Sequence, residues 1–313
     1  MDYEELENLW DMNTLSALEK FYGEVNSPGK AIEFSLKRKK ADVSIHYKNN
    51  GNKMCFVIPT SSFNEFTKGN YWKFISKFDT IIVESNGKFF NYAHSMNTGI
   101  REALNYGYSK IVLSNDDMMP IDSVNDLNSY AERKSEPEFI LPAKVKLSPT
   151  NNFTISDTFN LVKRNSLYNF FNAINWRLLH KKNAKYMIKI TKKFVNLDYA
   201  VVEGFNRRVL NSLLVPMLDV RLKNVPLFNS FGIFDAEILQ KEQFDTSFIN
   251  GKEDYDFIIR ILRDKYSFSK STFRIGDIGG LSLSKYNSGL RPIKDLLGDL
   301  ILNHKLQGYL LKN

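Results

Sequence analysis

The chain has 313 residues, a length that fits one large domain or two small ones. Its hydrophobic fraction of 43%, with 24 Phe and 15 Tyr, supplies a sizeable core and excludes disordered and low-complexity classes. The net charge of +8 is local: Thr158–Leu197 contains no acid but nine basic residues (Lys163, Arg164, Arg177, Lys181, Lys182, Lys185, Lys189, Lys192 and Lys193), which leaves the rest nearly neutral and excludes a uniformly basic nucleic-acid coat.

Cys55 is the single cysteine, so neither an intramolecular disulfide framework nor a Cys-based zinc cluster is possible. No run approaches the ~18 apolar residues of a spanning helix. The acidic start MDYEELENLWD is the opposite of a signal peptide. A cytoplasmic protein, peripheral on the cytoplasmic membrane face if its basic segment engages lipid, is the expectation.

In chain order, residues 2–22 read as one amphipathic helix, with Leu6, Leu9, Trp10, Leu15, Leu18 and Phe21 near helical spacing. Ser27-Pro28-Gly29 reads as a break, and Asn49-Asn50-Gly51-Asn52 as a turn. Cys55–Ile58 is a short apolar run stopped by Pro59-Thr60, as expected of a buried strand, within which Cys55 acts as a small hydrophobe. A helical pattern over Phe63–Phe78 precedes a second strand, Thr80–Val83. Ala93, Met96, Ile100 and Leu104 mark a helix ending near Gly107, and Ile111–Leu113 is a third strand. Strands alternating with helical patterns predict a parallel βαβαβ sheet, with ligands outside the carboxyl ends of its strands.

Three strings carry chemistry. Asn115-Asp116-Asp117 follows the third strand; adjacent carboxylates there suit a hard divalent cation, or else a turn. Glu253, Asp254 and Asp256 open an apolar helix, where they complement its macrodipole, Asp256 pairing with Arg260, or where one serves as a general base. Gly276-Asp277-Ile278-Gly279-Gly280-Leu281-Ser282 allows a close backbone approach to a ligand or a tight turn. It is neither a Walker loop nor a dinucleotide fingerprint. His46, His94, His180 and His304 have no metal-ligand spacing.

The order of these strings resembles the GT-A fold glycosyltransferases, closest to the family-2 group that includes rhamnosyltransferase-like enzymes. The resemblance runs from about Met54 to Ser284, through FVIPTSSFNEF, FNYAHSMNTGIREALNYGYSKIVLSNDDMMP and FGIFDAEILQKEQFDTSFINGKEDYDFIIRI. It implies an α/β fold with a Rossmann-like, mostly parallel central sheet and flanking helices, carrying a helical basic insertion and an N-terminal helical extension. The expected organisation is a helical extension over 1–53, a nucleotide-sugar-binding half over 54–150, a basic, mainly helical insertion over 151–230, an acceptor half over 231–290 and a C-terminal helix over 291–313.

The resemblance also implies an activity: inverting, metal-assisted hexosyl transfer from a nucleotide-diphosphate sugar to a hydroxyl of a glycan or lipid-linked acceptor. Pro59 and Thr60 would lie near the nucleotide, Glu84 and Asn86 near base or ribose, and Asn97 would face the nucleotide. Asn115-Asp116-Asp117 stands for a DxD motif whose first acid is Asn, with Asp117 as direct ligand of Mn2+ or Mg2+ and Asp116 as a ribose contact. Asp254, beside Glu253, falls on the catalytic base. Asp277 stands where many relatives have His, and would join the metal ligands. The alternative is a non-catalytic module of the same fold that binds a sugar nucleotide or an anionic surface.

Between Leu161 and Phe194 the basic residues interleave with Phe170, Phe171, Trp176, Leu178, Leu179, Ile188 and Ile190, a pattern that suits a helix lying on an anionic membrane. The same pattern suits a helix packed on the domain with solvated lysines, or contact with an anionic glycan. Nucleic acid is the least fitting partner, because no nucleic-acid motif accompanies the segment.

Overall fold

The computed structural model describes residues 1–131, 137–147, 152–154, 158–163, 186, 189–190, 193–194, 199–203, 223–226, 228, 230–277 and 290–310. The N-terminal stretch is three helices, α1 (Tyr3–Asp11), α2 (Leu15–Glu24) and α3 (Pro28–Lys37), followed by a strand, β1 (Ser44–Lys48). The single helix expected over 2–22 is therefore two. Asn13 turns left-handed at φ 51°, and the Thr14 hydroxyl accepts the Ala17 amide at 3.3 Å, capping a new helix. The Ser-Pro-Gly break is likewise a helix start, with Ser27 as cap and Pro28 in the first turn, where its missing N–H costs nothing.

The three expected strands form as β2 (Met54–Thr60), β3 (Asp79–Glu84) and β4 (Lys110–Ser114). Between them lie α4 (Phe63–Phe66), α5 (Asn70–Ile75) and α6 (Tyr92–Asn105). β2 pairs in parallel with both β3 and β4. Side chains alternate across a strand, so each run serves two cores. Cys55 and Val57 face one, with Ile81, Val83, Ile111 and Leu113. Met54, Phe56 and Ile58 face the other, with Ile82 and Val112. Burial on both faces is why these strands read as continuous apolar runs.

The chain continues through β5 (Met118–Pro120), α7 (Val124–Asn128), β6 (Glu138–Leu147) and β7 (Asn152–Thr154). Next come β8 (Thr158–Lys163), β9 (Tyr199–Glu203), β10 (Lys223–Pro226) and β11 (Phe231–Asp235). Last are α8 (Ala236–Lys241), α9 (Glu253–Arg263), β12 (Ser267–Asp277) and α10 (Arg291–Leu310). The large sheet runs β1-β3-β2-β4-β11-β6-β12-β5, with β7 beside β6. It is mixed, not mostly parallel as expected. β11 enters antiparallel between β4 and β6, while β1, β5 and β7 add antiparallel edges. Only β2 with its two neighbours, and β6 with β12, pair in parallel among the described residues.

Most of the helical insertion expected over 151–230 lies outside the described residues, and of the rest 186, 189–190 and 193 are helical. What is described of 151–230 is mostly strand, including a separate antiparallel sheet, β10-β8-β9. Leu161, where the basic amphipathic helix was expected to begin, lies in β8. Most of 164–198 lies outside the described residues. Of its remainder, Ile190 is buried in the main core, the Phe194 amide donates to the Ile190 carbonyl at 2.8 Å, and Lys189 pairs with Glu19 of α2 at 2.7 Å. That end packs on the N-terminal helices. Among the described residues no helix is long and apolar enough to cross a membrane.

One core layer joins both chain ends to the sheet. Trp10, Phe21, Tyr22 and Phe34 pack with Phe257 of α9 and with Leu296, Leu297 and Leu300 of α10. The Tyr22 hydroxyl donates to the Ile293 carbonyl at 2.6 Å. α6 lies so close to β2 and β3 that a Cβ on Gly99 would stand 2.9 Å from Val83 Cγ2 and nearer still to Val57 Cγ1. Gly99→Ala is therefore expected to lower stability by about 1–3 kcal/mol through overpacking. Urea denaturation checks this; an unchanged midpoint would show that α6 is free to move outward.

Candidate active site

β2, β3 and β4 end on the same side of the sheet, and a cleft of about 350 Å3 opens there. Pro59 and Thr60 from the end of β2, Asn86 from beyond β3, and Asn115 and Asp116 from beyond β4 all line it. Five of the residues expected at the site thus meet in one cavity. The Thr60 hydroxyl donates to Asp116 Oδ2 at 2.7 Å, and the Tyr92 hydroxyl donates to Asn115 Oδ1 at 2.9 Å. The Asn86 amide holds the Ser61 carbonyl at 3.3 Å, which shapes the rim.

Two expected residues have other work. Glu84 accepts from the Phe63 amide at the start of α4 at 3.2 Å and pairs with His46 of β1 at 2.9 Å. The His46 hydrogen bond, then the Phe63 amide, hold its carboxyl below the ordinary range. It ties β1 and α4 to β3 and does not line the cleft. Asn97, expected to face the nucleotide, does not line the cleft: it is buried, donates to the Phe244 carbonyl at 2.7 Å and accepts the Phe244 amide at 2.9 Å. Both ends of its side chain are thus taken up by backbone, away from any nucleotide.

Two further asparagines act in the same way. Asn91 caps α6 by accepting the His94 amide at 2.8 Å, and donates to the Phe248 carbonyl at 2.8 Å. Asn250 accepts the Tyr92 amide at 2.8 Å and donates to the Phe90 carbonyl at 2.9 Å. Together these bonds fasten the 244–250 loop along the first turns of α6. The loop leads directly into α9, whose first turn holds Glu253 and Asp254. Asp256, expected to pair with Arg260, does so at 2.9 Å, and its other oxygen accepts Lys305 of α10 at 3.2 Å.

The Tyr92 phenol is pushed well above its ordinary value, first by burial and then by the charges of Glu253, Asp254, Asp117 and Asp116. Tyr92 therefore feels the charge of both the Asp116–Asp117 and the Glu253–Asp254 pairs. Burial pushes Asp116 up to about 6; the Thr60 hydroxyl opposes this and the Asp117 charge adds to it. Glu253 is raised to about 8 by burial, with Asp254 and Asp295 adding and Arg291 opposing. Its Oε2 is buried and has no hydrogen-bond partner among the described residues.

Asp277 ends β12, where the ladder sets it opposite Met118, the residue after Asp117. The glycine-containing string beyond it, 278–282, lies outside the described residues. A magnesium- or manganese-type ion takes oxygen ligands, commonly one or two carboxylates together with substrate phosphates. Asp116 and Asp117 match that donor chemistry, and their mutual repulsion is what a cation relieves. Among the described residues no group of three or more His, Cys, Asp or Glu is gathered around one point. An ion here would share its shell with a ligand.

Tyr92, Asn250, Trp10, Arg291 and Lys294 also belong to the cleft and carry no sequence signal. Only their neighbours in space distinguish them from ordinary helix and loop residues. A scan against protein-family models and a search of curated proteins find no match to this chain.

Asn97→Ala would strand both the amide and the carbonyl of Phe244. Each stranded group is expected to cost about 1–3 kcal/mol, read by urea denaturation. A loss within error of zero would mean that the loop is held elsewhere. Glu253 gives a pH prediction. Its folded pKa lies above the unfolded value, so the folded protein keeps a proton that the unfolded chain has released. Stability should then fall as pH rises toward about 8 and level off above it. Glu253→Gln should flatten this fall between pH 6 and 8.5 in thermal melts. Identical slopes for variant and wild type would place the titration on another group.

Proposed function

We propose that the chain is an inverting glycosyltransferase of GT-A type that moves a sugar from a nucleotide-diphosphate donor to a hydroxyl of a glycan or lipid-linked acceptor. The observation that carries this reading is the cleft at the ends of β2, β3 and β4, lined by Pro59, Thr60, Asn86, Asn115 and Asp116, with a second carboxylate pair, Glu253 and Asp254, opening the helix that follows the loop clamped beside it. The three parallel strands β3, β2 and β4, with Asn-Asp-Asp following the last, further support the GT-A type.

In this reading the nucleotide lies along Pro59, Thr60 and Asn86, and Asn115 and Asp116 meet its ribose. Asp117, with Asp116 and the chain position of Asp277 nearby, would hold a divalent cation. When bound, such an ion supplies positive charge to the departing diphosphate. Burial and the Asp254 charge raise Glu253 and so favour its neutral form, which leaves Asp254 as the carboxylate of the α9 pair able to take a proton. Asp254 accepts the proton of the acceptor hydroxyl as that oxygen bonds to the anomeric carbon. The bond from that carbon to the diphosphate oxygen breaks in the same displacement, which inverts configuration without a covalent enzyme intermediate. The Asn250 side chain, which accepts the Tyr92 amide, holds the loop before α9 to the start of α6, and an in-line attack depends on such positioning.

The test is hydrolysis or transfer from UDP-, GDP- and dTDP-sugars with manganese. Asp254→Asn is expected to abolish turnover, by at least about a hundredfold, while leaving donor binding intact. Undiminished transfer would remove Asp254 as the base. Absence of turnover on every donor, with nucleotide binding preserved, would leave a non-catalytic sugar-nucleotide module.

A further inference from the structure

The cleft wall facing the ends of β2 and β3 comes from the two chain termini. α1 supplies Trp10 and Asp11, and the first turn of α10 supplies Arg291, Lys294 and Asp295. α10 reaches this wall because Gly298 lets it lie against the loop before α9: a Cβ there would stand 2.5 Å from the Gly251 carbonyl oxygen. The acceptor reading uses none of these residues, yet two of them are cations that share a cavity with Asn115, Asp116 and Asn250.

Among the described residues Arg291 and Lys294 form no ion pair, although most other lysines and arginines of the core do, such as Lys110 with Asp235 at 2.5 Å and Arg38 with Asp11 at 2.7 Å. Lys294 instead sits over the Trp10 ring, its Nζ 4.9 Å from the ring centroid, on an indole that is itself buried. Burial pushes the Lys294 amine down to about 8, with Asp11 opposing and Arg38 adding. Partial burial of a cation without a counter-ion is unfavourable, and a pair of such cations facing one cavity is stabilised when an anion enters it. Arg291 also acts on Glu253, so that an anion docked here is sensed at the α9 carboxylates.

We propose that Arg291 and Lys294 form a phosphoryl-binding subsite of the cleft, with Trp10 as the floor beneath Lys294. The inference rests on the cleft being the ligand site of the function proposed above, but it does not require glycosyl transfer. Two ligands carry the necessary group: the diphosphate of the donor, and a phosphate on the acceptor. Cations at this position bind a phosphate without a metal ion, so the subsite and the Asp116–Asp117 carboxylates are separable.

The experiment is calorimetric titration of the full chain at low ionic strength in EDTA, with inorganic pyrophosphate for the donor group and octyl phosphate for an acceptor monoester. The wild type is expected to bind at least one probe, and the one bound tighter identifies the source. Arg291→Gln and Lys294→Met should each weaken that binding by about tenfold, the scale of a lost charge-assisted hydrogen bond, while an exposed control, Lys30→Gln, leaves it unchanged. Lys294→Met keeps an apolar stem over Trp10; if it fails to fold by circular dichroism, Arg291→Gln alone decides. Equal binding by wild type and both variants, or no binding of either probe by the wild type, overturns the subsite. Pyrophosphate binding that depends on Arg291 in a protein that transfers no sugar would sink the glycosyltransferase reading and leave the subsite standing.

Discussion

The geometry of the cleft depends on three asparagine side chains that bond to backbone. Asn91, Asn97 and Asn250 each use their amide as both donor and acceptor, and together they close the 244–250 loop onto α6. A loop carries backbone N–H and C=O groups that no ladder satisfies, and buried polar groups left unpaired are costly. These side chains stand in for the missing strand or helix partners. They help set Glu253 and Asp254 relative to the residues after β4, although the two are more than a hundred residues apart in the chain.

A second constraint works from below. Asp256 is fully buried within an acidic first turn, and Arg260 and Lys305 hold it from α9 and α10. Arg260 also pairs with Glu242, and Lys305 with Asp245. This network gives Asp256, Glu242 and Asp245 a cation each and ties α9, α10 and the 242–245 segment together. Removing one partner from such a set leaves an uncompensated buried charge, so its members constrain one another's positions. Glu253 in the same turn is treated differently: burial, then the Asp254 charge, push its carboxyl above the usual range. Neighbouring acids on one helix thus differ by what stands opposite them: Asp256 meets two cations, and Glu253 Oε2 meets no hydrogen-bond partner among the described residues.

The chain ends complete the site. The N-terminal helices and α10 belong to the main core on one face of the sheet, and they wall the cleft that the strand ends open. β1 from the same N-terminal stretch adds the edge of the sheet beside β3, where His46 takes up Glu84. The extension and the C-terminal helix are therefore parts of the domain's interior and of its cleft.

What the sequence by itself determined is the local layer. The strands β2, β3 and β4, the helix α6 and the start of α9 were legible because a strand buried on both faces must be a short apolar run. An amphipathic helix likewise shows its period, and polar clusters must interrupt both. The Asp116–Asp117 and Glu253–Asp254 strings were legible for the same reason, as charges where a core element stops. What only the tertiary structure decided is which residues meet. The antiparallel entry of β11 comes from pairing between distant segments, which leaves no mark on either. The break at Asn13 turned on one left-handed residue in an otherwise helical pattern. The exchange of Asn97 from ligand contact to loop clamp, and the arrival of Tyr92, Arg291 and Lys294 in the cleft, arise from packing. An asparagine, tyrosine or lysine on a helix has the same local signature whether it faces a ligand, a carbonyl or water, so its work is set by what the fold places across from it.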